Sequence, residues 1–190
     1  VFEYNLGIDV TGFTIVNLGR TATSTEAVCG SSSSENSLSS ILDDCTTNVN
    51  ADYMEFYPVE RDVEPGDIVV PSSESATTTT GGKVAKLKKS SSRQEASAIG
   101  VVSNPEDAGD FNSIGYNIRE EDNPMPVALN GRVLVKVSTE GGSVNTGDYI
   151  TSSSVPGVGM RAVSSGRVIG VALESWDAED TKETGKIMLF

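Results

Sequence analysis

The sequence predicts an all-β protein: a compact β-sandwich or barrel-like domain with an internal pseudo-repeat, preceded by an extended N-terminal strand. Three observations carry this expectation. Val, Ile, Ser, Thr and Gly dominate the chain, and Gly or Pro punctuates it every ten residues or so, a turn spacing that suits short strands. No window of fifteen residues shows a 3.6-residue apolar period. Short patterns also recur: Glu64-Pro-Gly-Asp-Ile-Val-Val-Pro-Ser is echoed by Asn145-Thr-Gly-Asp-Tyr-Ile-Thr-Ser-Ser, and Ile99-Gly-Val-Val-Ser by Ile169-Gly-Val-Ala-Leu.

At 190 residues the chain is long enough to bury one good core, or one core and a small satellite. A formal charge of −13 with 14 Lys and Arg and no histidine argues against nucleic acid, which an acidic surface repels. No apolar run approaches the ~20 residues of a spanning helix, so membrane insertion is not expected. The chain begins at Val1 and shows no leader, the appearance of a secreted protein after processing. An extracellular or cell-surface location is therefore expected.

In chain order, residues 1–19 form an N-terminal strand segment. Phe2, Tyr4, Leu6, Ile8 and Val10 alternate with Glu3, Asn5, Gly7, Asp9 and Thr11, which places one wholly apolar face on an extended strand. Burying each such side chain is worth ~1.5–3 kcal/mol, so this face needs a partner, either its own domain or a neighbouring subunit's sheet. A second β segment follows from Phe13 to Leu18. Residues 20–50 are rich in Ser and Thr and read as a connector with one short helical turn at Leu38, Ile41 and Leu42. The two cysteines, Cys29 and Cys45, flank its serine runs, and a disulfide between them would be worth roughly 3 kcal/mol. No Asn-X-Ser/Thr acceptor is present.

Residues 51–190 make the β domain, entered through the dense stretch from Asp52 to Val70. Each copy of the repeated pattern is a Gly-Asp turn leading into a strand, followed later by a strand that opens Ile-Gly-Val. Glycine suits a turn that demands positive φ, and Asp can hydrogen-bond the neighbouring backbone. The interval is 33 residues from Gly66 to Ile99 but 22 from Gly147 to Ile169, and the excess is assigned to an exposed hairpin tip in 77–93. Asn130-Gly131 reads as a hairpin turn, Val133, Val135 and Val137 as one face of a strand, and Gly185 to Phe190 as the final strand.

Candidates for chemistry are few. Without histidine, the commonest general base for a Ser or Cys nucleophile is missing. Asp52 and Glu55 stand three apart, on opposite faces of a strand. Ser103 occupies a turn before Asn104-Pro105 and is the only serine in a special setting. No enzyme activity and no cofactor are expected. Calcium is the small ligand that the acids Asp107, Asp110, Glu120, Glu121 and Asp122 would suit. Lys83, Lys86, Lys88, Lys89 and Arg93 form a basic cluster on an acidic background, read as protection of a strand edge or as an assembly patch for the next subunit.

The ordered set Asp52-Tyr-Met-Glu-Phe-Tyr, Glu64-Pro-Gly-Asp, Ile99-Gly-Val-Val-Ser, Pro126-Val-Ala-Leu-Asn-Gly-Arg-Val, Gly147-Asp and Gly166-Arg-Val-Ile-Gly-Val-Ala-Leu-Glu resembles the β-rich C-terminal domain of fibre proteins. It is similar to the self-processing chaperone domain of phage tail appendages and to terminal domains of surface proteins from uncultivated bacteria. The resemblance spans about 52–190. It implies a fibre-assembling β fold and, in some members, self-cleavage; Met54 stands where a small residue is usual, and no complete catalytic set is matched.

Together these readings lead to one expectation: a secreted structural subunit whose partners are copies of itself, joined by donation of the N-terminal strand into an extracellular fibre or filament. A head-to-tail contact of that kind does not close and gives a polymer. The alternatives are a fibre-tip chaperone that processes itself, and a sugar-binding adhesin using Trp176, Tyr116 or Tyr149.

Overall fold

The structure, a computed structural model, describes residues 52–104, 117–181 and 183–190, together with the strand backbones at 9–10, 13–14, 28–31, 41–44 and 113–114. Two compact units partition the chain, Val1–Thr46 and Thr47–Phe190.

In the first unit β1 (Asp9–Val10) pairs antiparallel with β2 (Phe13–Thr14), Val10 opposite Phe13. Phe2, Tyr4, Leu6 and Ile8 lie outside the described residues. β3 (Val28–Ser31) pairs antiparallel with β4 (Ile41–Asp44), so part of the expected connector is a hairpin. Ile41 and Leu42 are extended rather than helical; Leu38 is outside the described residues. The Cys29–Cys45 disulfide is corrected: no Sγ–Sγ pair occurs among the described residues. The backbone register sets Cys29 opposite Asp43, and Cys45 lies outside the described residues.

The second unit is all-β and sandwich-like. Its first sheet is built from β5 (Asp52–Pro58), β6 (Ile68–Thr77), β7 (Lys83–Lys89), β8 (Gly100–Val102) and β10 (Pro124–Gly131). The short β9 (Ser113–Ile114) adds to it in parallel with β5, and the strand order is β7-β6-β8-β10-β5-β9. The second sheet holds β11 (Val133–Ser138), β12 (Tyr149–Ser152), β13 (Gly159–Arg161), β14 (Gly170–Val171) and β15 (Thr184–Leu189), in the order β14-β12-β13-β11-β15. Single bridges add links beyond the ladders: Val59 to Leu87 in parallel, and Ala172 to Leu189 antiparallel.

Consecutive apolar residues explain why the first sheet sits inside. In β6, Val69 faces a first core with Val59, Val63, Leu87, Val102 and Val127, while Ile68 and Val70 face a second core. Val101 and Ala128 join that second core alongside Val133, Val135, Val137, Ile150, Ile187 and Leu189. Strands buried on both faces read as unbroken apolar runs rather than alternation, which is what Ile68-Val69-Val70 and Val101-Val102 are. β11 alternates instead, and Val133, Val135 and Val137 all turn inward as expected.

Two expectations change. Asn130-Gly131 is not a hairpin turn: both residues pair with β5, opposite Tyr53 and Asp52, and Arg132 carries the chain from the first sheet to the second. The region from 77 to 93 is not exposed throughout: its tip, where Thr78 and Gly82 close a tight turn, is open, whereas β7 runs back along β6 and buries Leu87 completely.

Gly100 lies so close to β10 that a Cβ there would collide with the Ala128 carbonyl. Gly100→Ala should lower stability by about 1–3 kcal/mol, the usual cost of overpacking. Gly81 has open space around it and only a positive φ of 87°, so Gly81→Ala should cost about 1 kcal/mol. Urea unfolding of the two variants checks the difference.

Candidate functional site

The residues with the most chemical capacity meet at the first Gly-Asp turn. Gly66 takes φ +94°, and the Asp67 amide donates to the Glu64 carbonyl at 3.1 Å. In return Asp67 Oδ2 accepts the Glu64 backbone N–H at 2.8 Å. The second turn is made alike: Gly147 has φ +93°, Asp148 N–H donates to Asn145 O at 2.9 Å, and Asp148 Oδ2 accepts Asn145 N–H at 2.8 Å.

They differ in what surrounds the carboxylate. Asp148 is partly open to solvent. Asp67 is 1 % exposed and sits against Gly157, where a Cβ would come within 2.6 Å of Oδ1. Its oxygens take two lysines: Lys136 Nζ from β11 at 2.8 Å and Lys89 Nζ from β7 at 3.3 Å. Lys136 also reaches Glu64 at 2.9 Å.

Burial alone would depress Lys136, yet hydrogen bonds to Asp67 and Glu64 outweigh it and hold the ammonium above its ordinary value. The hydrogen bond from Lys136, then its charge, keeps Glu64 below the usual carboxylate range. A lysine held protonated between two carboxylates is a staple rather than a proton acceptor, because a lysine base needs its pKa lowered.

Next to this cluster a cleft of about 320 Å³ is lined by Glu64, Gly66, Ser103, Asn104, Leu134, Lys136 and Lys186 among others. Ser103 is 4 % exposed, and its backbone N–H donates to Pro126 O at 2.9 Å. The turn serine singled out in the sequence therefore does border a cleft with two lysines. The lysine there whose partners are seen, Lys136, is engaged by acids.

The basic cluster does not stay together. Lys89 turns in to Asp67, Lys86 lies 4.0 Å from Glu74 of β6, and Arg93 pairs with Glu140 at 3.0 Å. Only Lys83 and Lys88 have no ion pair among the described residues. Of the acids considered for calcium, Glu120, Glu121 and Asp122 form a 3₁₀ turn, and Glu121 lies 3.8 Å from Arg119. Asp107 and Asp110 are outside the described residues, and among the described residues no group of three acidic or cysteine side chains gathers as metal ligands. Asp52 and Glu55 lie on β5, where the Glu55 carboxylate accepts a hydrogen bond from Tyr57 Oη at 2.9 Å.

Trp176 packs against the second core, with its indole over Gly185, where a Cβ would run into the ring. Tyr149 is open to solvent; Tyr116 is not described. Met54, the departure from the fibre-domain pattern, is buried in β5.

Compared with known proteins, the chain matches no family model, no curated protein and no solved structure. The resemblance to fibre-terminal domains rests on its motifs alone.

Sequence reasoning missed the Asp67–Lys136–Lys89 cluster. Asp67 was seen as a turn residue, while its two lysines lie 22 and 69 positions further on.

Asp67→Ala leaves two lysine heads largely desolvated without their acid, and should cost about 3 kcal/mol of stability. Asp148→Ala removes only an exposed turn hydrogen bond, for about 1 kcal/mol; chemical denaturation ranks the two. Alkaline pH gives a separate test. Burial first, then the hydrogen bond and the charge of Glu55, push Tyr57 up to about 12 from 10.0. The folded state then keeps a proton that the unfolded chain loses near pH 10, so stability falls as pH rises from 10 through 12. The raised Lys136 works in the same direction. Tyr57→Phe should flatten part of that fall in a pH series of melting curves.

Proposed function

We propose that the chain is a structural subunit that assembles with copies of itself into an extracellular fibre or filament, and that residues 51–190 use one β unit twice. The observation that supports this is the bond-by-bond correspondence between the two sheets. Gly66 N–H donates to Val102 O and Gly147 N–H to Ala172 O, both at 2.8 Å. Val102 N–H donates to Asp67 O and Ala172 N–H to Asp148 O, both at 2.9 Å. Ile99 and Ile169 donate to Val69 and Ile150 at 3.0 and 2.7 Å.

The correspondence continues outward. The parallel link Val59–Leu87 has its counterpart in Val137–Gly159. The pairing of β8 with β10 is matched by Ala172–Leu189, and that of β10 with β5 by β15 with β11. Each half of residues 51–190 thereby has five strands in the same neighbour relations, which supports reading it as one β unit used twice.

A unit of this kind packs on its own kind. Within residues 51–190 the face of the first sheet that carries Ile68, Val70 and Val101 is covered by the second sheet, and the Asp67–Lys89–Lys136 cluster links the two. That is how a building block is made, and the alternating segment from Phe2 to Val10 supplies a donor strand for the next copy.

Electron microscopy and light scattering of the intact chain and of a variant lacking residues 1–12 test this reading. Filaments from the intact chain and their loss on deletion are expected. Undisturbed filaments after deletion would rule out strand donation, and single chains from the intact protein would rule out assembly.

A further inference from the structure

The pairing of β11 with β15 sets Lys136 directly opposite Lys186. Directly paired residues share a face of the sheet, and like charges placed so repel each other. Both side chains cross the first Gly-Asp turn: a Cβ on Gly66 would stand 3.1 Å from Lys136 Cγ and 3.4 Å from Lys186 Cε. Lys136 is answered by Asp67 and Glu64, at 2.8 and 2.9 Å. Lys186 has no ion pair among the described residues, although its charge is felt at Glu64. With Lys89, three ammonium groups thus face the two carboxylates of Asp67 and Glu64, and one positive charge is left over.

The surplus charge belongs to the cleft of about 320 Å³ that Lys186 helps to line. Pro65, Val102 and Leu134 give that cleft an apolar wall. Ser103 adds a polar group to the same lining: the residue is 4 % exposed, and its hydroxyl makes no hydrogen bond among the described residues. A serine so buried normally finds a partner, because an unmet hydroxyl costs free energy once it has left water. An unanswered cation, an unmet donor and an apolar wall around one hollow are the parts of a small-molecule site, where a few polar groups orient a mostly apolar ligand.

We infer that this cleft binds a small organic carboxylate, its oxygens meeting the Lys186 ammonium and the Ser103 hydroxyl and its apolar body lying along Pro65, Val102 and Leu134. The charge balance selects a monoanion. Lys89 and Lys136 are engaged by acids, so one uncommitted lysine serves the cleft, and Glu64 in its lining repels a second negative charge. A phosphate dianion is thereby disfavoured, in a chain whose formal charge is already −13. The volume sets the size, since about 320 Å³ lies at the small end of ligand pockets and suits a body such as a single aromatic ring. Binding of this kind is a property of one chain and does not depend on the self-assembly reading.

Titration of ¹⁵N-labelled full-length protein with benzoate, followed by NMR, is the test, with benzamide and inorganic phosphate as companion probes. Saturable shifts centred on the amides of Gly66, Ser103 and Lys186 are expected with benzoate, and at least about tenfold weaker binding with benzamide and with phosphate. Lys186→Met keeps the length of the side chain and removes its charge. It should weaken benzoate about tenfold or more, the worth of a charged hydrogen bond, while the melting temperature holds or rises because the opposed lysines are relieved. Ser103→Ala should weaken benzoate about fivefold. Benzamide or phosphate binding as tightly as benzoate overturns the inference, as does benzoate binding that is unchanged in either variant. Shifts centred elsewhere, or no saturable shift up to the solubility of benzoate, overturn it as well.

Discussion

The carboxylate of Asp67 sits where the first Gly-Asp turn, β7 and β11 converge, and it is almost completely shielded from water. An ionised carboxylate in such a place is tolerated only when cations and hydrogen-bond donors answer it. Here the answer comes from three directions: Glu64 N–H from its own turn, Lys89 from the same sheet, and Lys136 from the other. Two further bonds run alongside, Lys136 N–H to Gly66 O at 2.9 Å and Ile68 N–H to Gly157 O at 2.7 Å. The charge cluster fixes which surfaces of the sheets meet, and the apolar residues behind it supply most of the stabilisation.

A second consequence is asymmetry. Asp67 and Asp148 make the same turn with the same bonds, but among the described residues only the first is paired with lysines. Around it the chain also sends residues 90–95 over the second sheet. Gln94 N–H donates to Ser152 O and Glu95 N–H to Ser152 Oγ, while Gln94 Nε2 donates to the Ser164 carbonyl and Gln94 Oε1 accepts from Ser164 Oγ. Arg93 adds its pair with Glu140. The first turn has become an internal joint, while the second remains at the surface.

Much of the architecture could be read from residue order. The all-β class followed from turn spacing and β-branched composition, and the motif echo pointed to the two turns because glycine at positive φ and an adjacent Asp are local requirements. Tertiary choices were not legible. Asn130-Gly131 has hairpin chemistry, yet its neighbours pair with β5 and β15 rather than with each other. The β3–β4 register, which sets Cys29 opposite Asp43 in the backbone, is likewise a pairing that residue order alone does not fix. Lys89 looked like part of a surface patch, since nothing in a run of lysines tells which one turns inward. Trp176 looked like a platform for a sugar, and Gly185 beneath its ring reads as an ordinary strand glycine until the two are seen together.

The central claim is that this chain is made to pack on copies of itself. Sedimentation velocity of the intact protein across a hundredfold range of concentration tests it most directly. A weight-average mass that climbs with concentration beyond that of one chain is the result the account predicts; a single species with the mass of one chain throughout would contradict it.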